Sequence, residues 1–105
     1  MRYNEGVSVV KMETGKRGKY FKLERLVRGF ANHRRVEILG LLSQKPELSV
    51  LEISDELNIN FKTASEHIKR LAIAGLVLKR SDGVSIRHKL STLGGHILKF
   101  LRTLE

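Results

Sequence analysis

Residues 60–75 read NFKTASEHIKRLAIAG and have the pattern of a helix with one apolar and one polar side. Ala64, Ile68 and Leu71 recur at spacings of four and three residues, which places them on one stripe of a helix. Asn60 suits the N-cap, because its side-chain oxygen can accept from the free amides of the first turn, and the final glycine suits a helix stop. We therefore predict a helix here, packed on the core through the apolar stripe.

The side of this predicted helix opposite the stripe is polar and basic, which is typical of a helix that reads DNA. The N-terminal half of such a helix enters the major groove, where side chains reach base edges and phosphates. The predicted contacts to DNA in this segment are Lys62, Thr63, Ser65, Glu66 and Lys69.

Three residues of the segment also have a structural interpretation. Glu66 can accept from a cytosine amino group, or pair with Arg70 one turn later, and the pairing is favoured. Phe61 can contact a thymine methyl group or fold onto the core beside Ala64, and the core is favoured. Thr63 can contact DNA or hydrogen-bond to the helix end.

Apolar residues at helical spacing predict two helices near the beginning of the chain. The first runs from about residue 19 to residue 32, and the second follows Asn32, its N-cap, to about residue 44. Pro46 ends the second helix, since the residue before a proline is pushed out of the helical region.

A short third helix is predicted to begin at a capping box. In this motif Ser49 accepts from the amide of Glu52, whose carboxylate in turn accepts from the amide of Ser49. Residues 58–60 then turn directly into the polar helix. Two short helices joined by about three residues, the second with a polar front, form a helix-turn-helix.

After this helix the apolar period changes from 3.6 to 2, which predicts a hairpin of residues 76–81 and 84–90. Asp82-Gly83 suits a two-residue type I′ turn. This turn would place Arg80 opposite Ser85 and Leu78 opposite Arg87. One face of the hairpin is then apolar and holds Val77, Ile86 and Leu90. The other is basic and holds the predicted contacts to phosphates or the minor groove, which are Arg80, Arg87 and Lys89.

Ser91 can cap a last helix with a broad apolar band. The predicted fold is therefore mostly α with a small β-hairpin, a winged helix-turn-helix of about five helices and a two-stranded wing. We predict that residues 19–105 form this domain and that residues 1–18 form a flexible basic N-terminal arm. The arm can be a plain disordered tail, which is favoured, or can add phosphate contacts.

Composition narrows the function. With 105 residues and 41% hydrophobic residues the chain suits one globular domain, and its apolar runs are too short to span a bilayer. The absence of cysteine excludes disulfides, thiolate metal sites and cysteine nucleophiles. The N-terminus lacks the apolar region of a signal peptide, so we expect a cytoplasmic protein without membrane contact.

The net charge of +9 is unevenly distributed. Residues 58–90 hold seven Lys or Arg against two Asp or Glu, whereas residues 29–57 hold three against five. Such segregation favours a surface that meets a polyanion, with double-stranded DNA as the expected partner. No paired carboxylates, phosphate loop or activated nucleophile is visible, so we expect no enzyme and no cofactor.

Residues 31–42, ANHRRVEILGLL, resemble the opening signature of ArsR-type transcriptional repressors, and residues 48–53, LSVLEI, resemble that family's third helix. The polar helix and the Asp82-Gly83 wing tip complete a resemblance over residues 31–90. Metal-sensing members carry cysteines where this chain has Ser49 and Leu51, or a His and acidic set in the last helix, where only His96 is present. The resemblance thus implies DNA binding without metal sensing. Residues 90–98 are closer to the segment that ends the wing in MarR-like and archaeal regulators.

The first and last helices carry more apolar surface than a chain of this size needs. The resemblance implies that they form a homodimer interface, whose predicted residues are Leu23, Val27, Phe30, Ile97, Leu101 and Leu104. The favoured function is a dimeric, sequence-specific transcriptional repressor with no identified effector. The alternative is a nucleoid protein, or a protein- or RNA-binding module, with little sequence specificity.

Overall fold

The computed structural model of the protein describes residues 17–105. It contains five helices and one antiparallel hairpin, and the winged helix-turn-helix prediction is confirmed. The predicted N-terminal arm lies outside the described residues, apart from its last two, which belong to the first helix. The elements are α1 (Arg17–Phe30), α2 (His33–Gln44), α3 (Val50–Leu57), α4 (Phe61–Ile73), β1 (Val77–Ser81), β2 (Ile86–Leu90) and α5 (Thr92–Arg102).

Each helix from α2 to α5 begins at the N-cap that the sequence predicts. Asn32 accepts from Arg34 N at 2.9 Å, and Asn60 accepts from Lys62 N at 2.7 Å. Ser91 accepts from the amide of Gly94 at 2.9 Å. Ahead of α3 the reciprocal bonds of the capping box are both present, at 2.8 and 3.2 Å. Because these caps are local, they fix where each helix begins independently of the tertiary fold.

The core lies where α2, α4 and the end of the wing meet. Ile38, Leu39 and Leu42 of α2 are almost completely buried, and so is Leu76 after α4. The apolar stripe of α4, Ala64, Ile68 and Leu71, is 0–1% exposed. Burial of this stripe leaves the other side of α4 facing outwards.

The wing has a different register from the predicted one. Arg80 pairs with Arg87 and Leu78 with Lys89, so the strands are shifted by two residues and joined by residues 82–85. The carboxylate of Asp82 causes the longer loop, because it accepts from the amides at positions 84 and 85 at 2.9 and 2.8 Å. A shift of two preserves which side chains share a face. The basic and apolar faces are therefore as predicted.

The segment between α2 and α3 pairs with the second strand of the wing through a single β-bridge. Leu48 forms an isolated antiparallel bridge with His88, whose amide donates to Leu48 O at 2.9 Å. Glu47, with φ of 69°, donates its amide to His88 O at 2.8 Å. The His88 ring is 2% exposed, and its Nδ1 lies 2.8 Å from Leu48 O, so it anchors the wing to the helix-turn-helix.

The stability of the fold should depend on the protonation of His88. Its pKa is lowered from 6.5, chiefly by burial and to a lesser extent by Lys79, against the hydrogen bond to Leu48. Because the unfolded chain then binds more protons below pH 6.5, the free energy of unfolding should fall as pH drops from 6.5 towards the folded pKa. Urea unfolding at pH 7.5 and pH 5.5 measures this dependence. The wild type should show a steeper loss than His88→Gln, and equal slopes would contradict the assignment.

Gly94 should be indispensable where α5 crosses the link between α4 and β1. A Cβ on Gly94 would overlap the backbone oxygen of Leu76, which already accepts from the amide of Ser91 at 3.0 Å. Gly94→Ala should therefore destabilise the domain by about 1–3 kcal/mol. Gly95→Ala is the control, since a Cβ at Gly95 meets nothing within 4 Å and should stabilise α5 by up to ~1 kcal/mol. Urea midpoints that move together in the two variants would refute this explanation.

Candidate nucleic-acid interface

The outward side of α4 presents most of the predicted DNA contacts. Lys62, Thr63 and Lys69 are exposed, and Ser65 is half-buried beside the core stripe. Three of the four lie within the first two turns of the helix. This end of α4 carries cationic and hydroxyl donors, which is the chemistry that phosphate oxygens and base acceptors require.

Glu66 takes part in the ion pair that the sequence favours. Its Oε1 lies 3.4 Å from Arg70 Nε, one turn later on the same helix. Both side chains are more than half exposed, so the pair contributes only a few tenths of a kcal/mol. The carboxylate nevertheless reduces the positive charge on the outer side of α4.

Phe61 does not lie in the core, and that prediction is wrong. Its side chain is 54% exposed. It lines a cavity of about 320 Å³ together with Leu51 of α3 and Ile86 of the wing. This apolar cluster joins the beginnings of α3 and α4 to the wing. The sequence gives no indication of it, since its members come from three separate elements.

Arg87 is held by two carboxylates, which the sequence did not reveal. Its Nε donates to Asp82 Oδ2 at 2.9 Å and its Nη1 donates to Glu52 Oε1 at 2.7 Å. The pKa of Asp82 is well below its usual value, first because of the two loop amides and then because of Arg87. The pKa of Arg87 is raised in turn, chiefly by Asp82. The predicted DNA contact thus also fastens the wing loop to α3.

Arg80 is similarly engaged, whereas the wing lysines are not. Arg80 Nη2 lies 2.5 Å from Glu47 Oε1, and Nε donates to the same oxygen at 3.1 Å. Lys79 and Lys89 are exposed, and neither takes part in an ion pair within residues 17–105. Lys89, on the same face as the two arginines, is therefore the most available of the predicted wing contacts.

The buried side of α4 is joined to α1 and α2 by one arginine that the sequence did not single out. Arg35 Nε donates to His67 Nδ1 at 3.2 Å, and Nη1 donates to the carbonyls of Arg28 and Gly29 at 3.0 and 3.2 Å. The pKa of His67 is lowered, first by burial and then by the positive charge of Arg35. A neutral His67 ring is the form that can accept this bond.

The predicted dimer residues divide into two groups. Leu23 and Val27 of α1 are 46% and 50% exposed, and Leu104 after α5 is 66% exposed. Phe30 is 9% exposed in the core, and Ile97 and Leu101 are partly buried against it. Phe30 thus holds α1 onto its own domain. Further exposed apolar side chains on the two helices, which the sequence prediction omitted, are Tyr20, Phe21, Leu93 and Phe100.

Two other properties bear on the kind of protein. No helix within residues 17–105 has the length and apolar character needed to cross a membrane. Over the same residues, no three side chains of His, Cys, Asp or Glu lie together as a metal site would require.

Comparison with known proteins identifies the family. The model of the family described as "Bacterial regulatory protein, arsR family" matches residues 32–79. The chain is 35% identical over 65 residues to the HTH-type transcriptional regulator MJ1325 of Methanocaldococcus jannaschii, a match covering 62% of this chain and 73% of that protein. It is also 36% identical over 67 residues to the transcriptional activator HlyU of Vibrio cholerae, covering 64% of this chain and 61% of HlyU.

Solved structures agree with these matches. The structure of reduced Vibrio cholerae HlyU superposes with a TM-score of 0.73 at 30% identity, covering 88% of this chain and 97% of that one. A homodimeric winged helix-turn-helix DNA-binding domain, Mb0332 of Mycobacterium bovis, superposes with a TM-score of 0.79 at 26% identity, covering 89% and 86%. By sequence and by fold, this chain belongs to the ArsR family of winged helix-turn-helix DNA-binding transcriptional regulators.

Proposed function

We propose that the protein is a homodimeric repressor that binds an inverted-repeat operator and blocks transcription by occluding it. The observation that carries this proposal is the surface formed by the first two turns of α4 and the basic face of the wing. The buried stripe of α4 fixes which side of this helix faces outwards, and Arg80 and Lys89 of the wing are exposed. We infer that the protein acts in the cytoplasm, because its proposed operator is chromosomal DNA.

Within this proposal, α4 reads sequence in the major groove. Lys62 and Lys69 can donate to guanine acceptors or to phosphates, and Ser65 can donate to or accept from a base edge. Thr63 lies in the same turn and adds a hydroxyl group. Glu66 remains a possible acceptor for a cytosine amino group, although its pairing with Arg70 competes with that role.

The wing is proposed to contact the phosphate backbone. Lys89 is the simplest contact, since it is exposed on the basic face. Arg80 and Arg87 can bind phosphate without releasing their carboxylates, because each guanidinium has five N–H donors and only part of them are used. Nη1 of Arg80 and Nη2 of Arg87 make none of the hydrogen bonds found within residues 17–105. The carboxylates then orient the two arginines for the backbone.

Dimerisation is proposed through the exposed apolar side chains of α1 and α5. The similar Mycobacterium bovis domain is described as homodimeric. Leu23, Val27 and Leu104 together give each protomer an apolar surface that water contacts unfavourably, and a two-fold dimer buries the same surface twice. Such a dimer would place two copies of α4 about 34 Å apart, in successive major grooves.

Selection of bound sequences from a random DNA pool by the full-length protein tests the proposal as a whole. We expect enrichment of an inverted repeat whose half-sites are about one helical turn apart. The selected site should bind at least roughly a thousandfold more tightly than random DNA at physiological salt. No enrichment would reject sequence-specific regulation and would favour the alternative of a nucleoid-type binder.

Substitutions in α4 and in the wing should separate base reading from backbone binding. Lys62→Ala and Ser65→Ala should each reduce discrimination between the selected site and random DNA by about 1–3 kcal/mol, because they remove base contacts. Lys89→Ala should weaken binding to all DNA sequences alike, and should lower the salt dependence of binding by about one released counterion. Fluorescence anisotropy at several salt concentrations measures both effects. Lys99→Ala is the control, because Lys99 is exposed and lies on α5, outside the proposed DNA surface. Unchanged discrimination in both α4 variants would contradict the assignment.

A charge placed in the apolar surface of α1 should disrupt the dimer. Val27→Glu should yield a folded monomer by native mass spectrometry, since a dimer would have to bury two unpaired carboxylates. Its affinity for the inverted repeat should fall roughly a hundredfold through loss of avidity. Val84→Glu is the control for mass, because this side chain is 95% exposed at the wing tip. A Val27→Glu protein that remains dimeric, or a wild type that is monomeric at micromolar concentration, would refute the proposed interface.

A further inference from the structure

A groove of about 440 Å³ lies between α1 and the C-terminal end of α4, within the size range of small-molecule sites. Leu26, Ile73 and Ala74 provide apolar surface in it. Ile73 is 74% exposed, which is unusual for an isoleucine at the end of an otherwise amphipathic helix. Gly29 allows α1 and α4 to approach here, because a Cβ on it would overlap Ala74 Cβ.

Cationic side chains surround this apolar surface. Two of them form exposed ion pairs one turn along their own helix, Arg28 with Glu24 at 2.9 Å and Arg70 with Glu66 at 3.4 Å. Such pairs contribute little and exchange readily. Lys22, Arg25 and Arg35 take part in none of the ion pairs found within residues 17–105. The five cationic residues that line the groove are Lys22, Arg25, Arg28, Arg35 and Arg70.

The groove therefore has an excess of three positive charges over the two paired carboxylates. Like charges gathered around a low-dielectric surface repel one another, and an anion bound there relieves the repulsion. The apolar surface adds a preference for a ligand with a hydrocarbon part. Both features are satisfied by one class of ligand, an organic anion with an apolar body.

Neither the proposed DNA surface nor the proposed dimer surface includes the groove. Ile73 lies one turn beyond Lys69, the last proposed DNA contact on α4, which is about 6 Å along the helix axis. On α1, Leu23 and Val27 lie on the side roughly opposite to Gly29, given 100° per residue.

We propose that this groove binds a small amphipathic carboxylate, with the carboxylate among the arginines and the aliphatic part on Leu26, Ile73 and Ala74. Arg25 and Arg35 are placed to hold the carboxylate, one from α1 and one from α2. None of the residues that line the groove is itself a proposed DNA contact, although Arg70 pairs with Glu66. It assigns the groove a ligand class by charge and by apolar surface together.

Titration of the full-length, DNA-free protein with decanoate, followed by backbone amide NMR, tests this site. Decanoate below its micellar concentration should shift amides of α1 around Gly29 and of α4 from Arg70 to Ala74. Inorganic phosphate, which lacks the apolar body, should bind at least about tenfold more weakly, and decyltrimethylammonium, which reverses the charge, should not bind in the groove. Arg25→Glu and Ile73→Ser should each weaken decanoate binding about tenfold, because one removes the charge and the other the apolar contact.

Lys99→Glu is the matched control, since it makes the same change of charge on α5 and should leave decanoate binding unchanged. Shifts confined to α5, or affinities that Arg25→Glu does not alter, would overturn the proposal. Contacts between residues 1–16 and the groove in the free protein would also overturn it, because the groove would then be filled by the chain itself. Because the titration contains no DNA, failure here would leave the proposed operator binding untouched, and failure of operator selection would leave this site untouched.

Discussion

The backbone bridge between Leu48 and His88 is the interaction on which the proposed DNA surface depends. It joins the segment before α3 to the second strand of the wing, through two backbone hydrogen bonds and the buried imidazole. Without it the two strands would have no backbone pairing to the segment before α3 and would be held to the helices by side chains, and isolated hairpins are marginally stable. The bridge fixes the basic face of the wing relative to the helix-turn-helix, so that both can meet one duplex.

The ion pairs of the wing have the same structural effect at its outer end. Arg87 connects Asp82 of the loop to Glu52 of the α3 capping box, and Arg80 connects β1 to Glu47. Glu52 thus serves two purposes, since it also accepts from the amide of Ser49. Its pKa is lowered mainly by that amide and the Ser49 hydroxyl and then by Arg87. Wing residues chosen for their positive charge are therefore also parts of the scaffold that positions them.

The sequence alone predicts an element correctly wherever the interactions that determine that element are local. The caps Asn32, Ser49, Asn60 and Ser91 each act within three residues, and apolar periodicity places α4 correctly. The sequence alone did not predict features that depend on contacts between distant residues or on loop hydrogen bonds. The hairpin register depends on how the Asp82 carboxylate binds loop amides, which the dipeptide Asp-Gly alone does not reveal.

The errors at the candidate site have the same origin. Arg87 and Glu52 are 35 residues apart, and no spacing rule pairs them. Apolar character predicted a core position for Phe61, but the side chain is 54% exposed and lines a cavity with residues of α3 and the wing. The basic groove escaped prediction because its cations come from three helices. The net charge of each segment showed where positive charge is concentrated along the chain. It could not show which of these charges lie on the proposed DNA surface and which line the groove.

Arg35 links these two regions of positive charge through α4. Its side chain lines the groove and also donates a hydrogen bond to His67 of α4. An anion that draws the guanidinium into the groove competes with this bond, and the link between α2 and α4 weakens. By thermodynamic linkage, any change that the anion makes in DNA affinity equals the change that DNA makes in affinity for the anion.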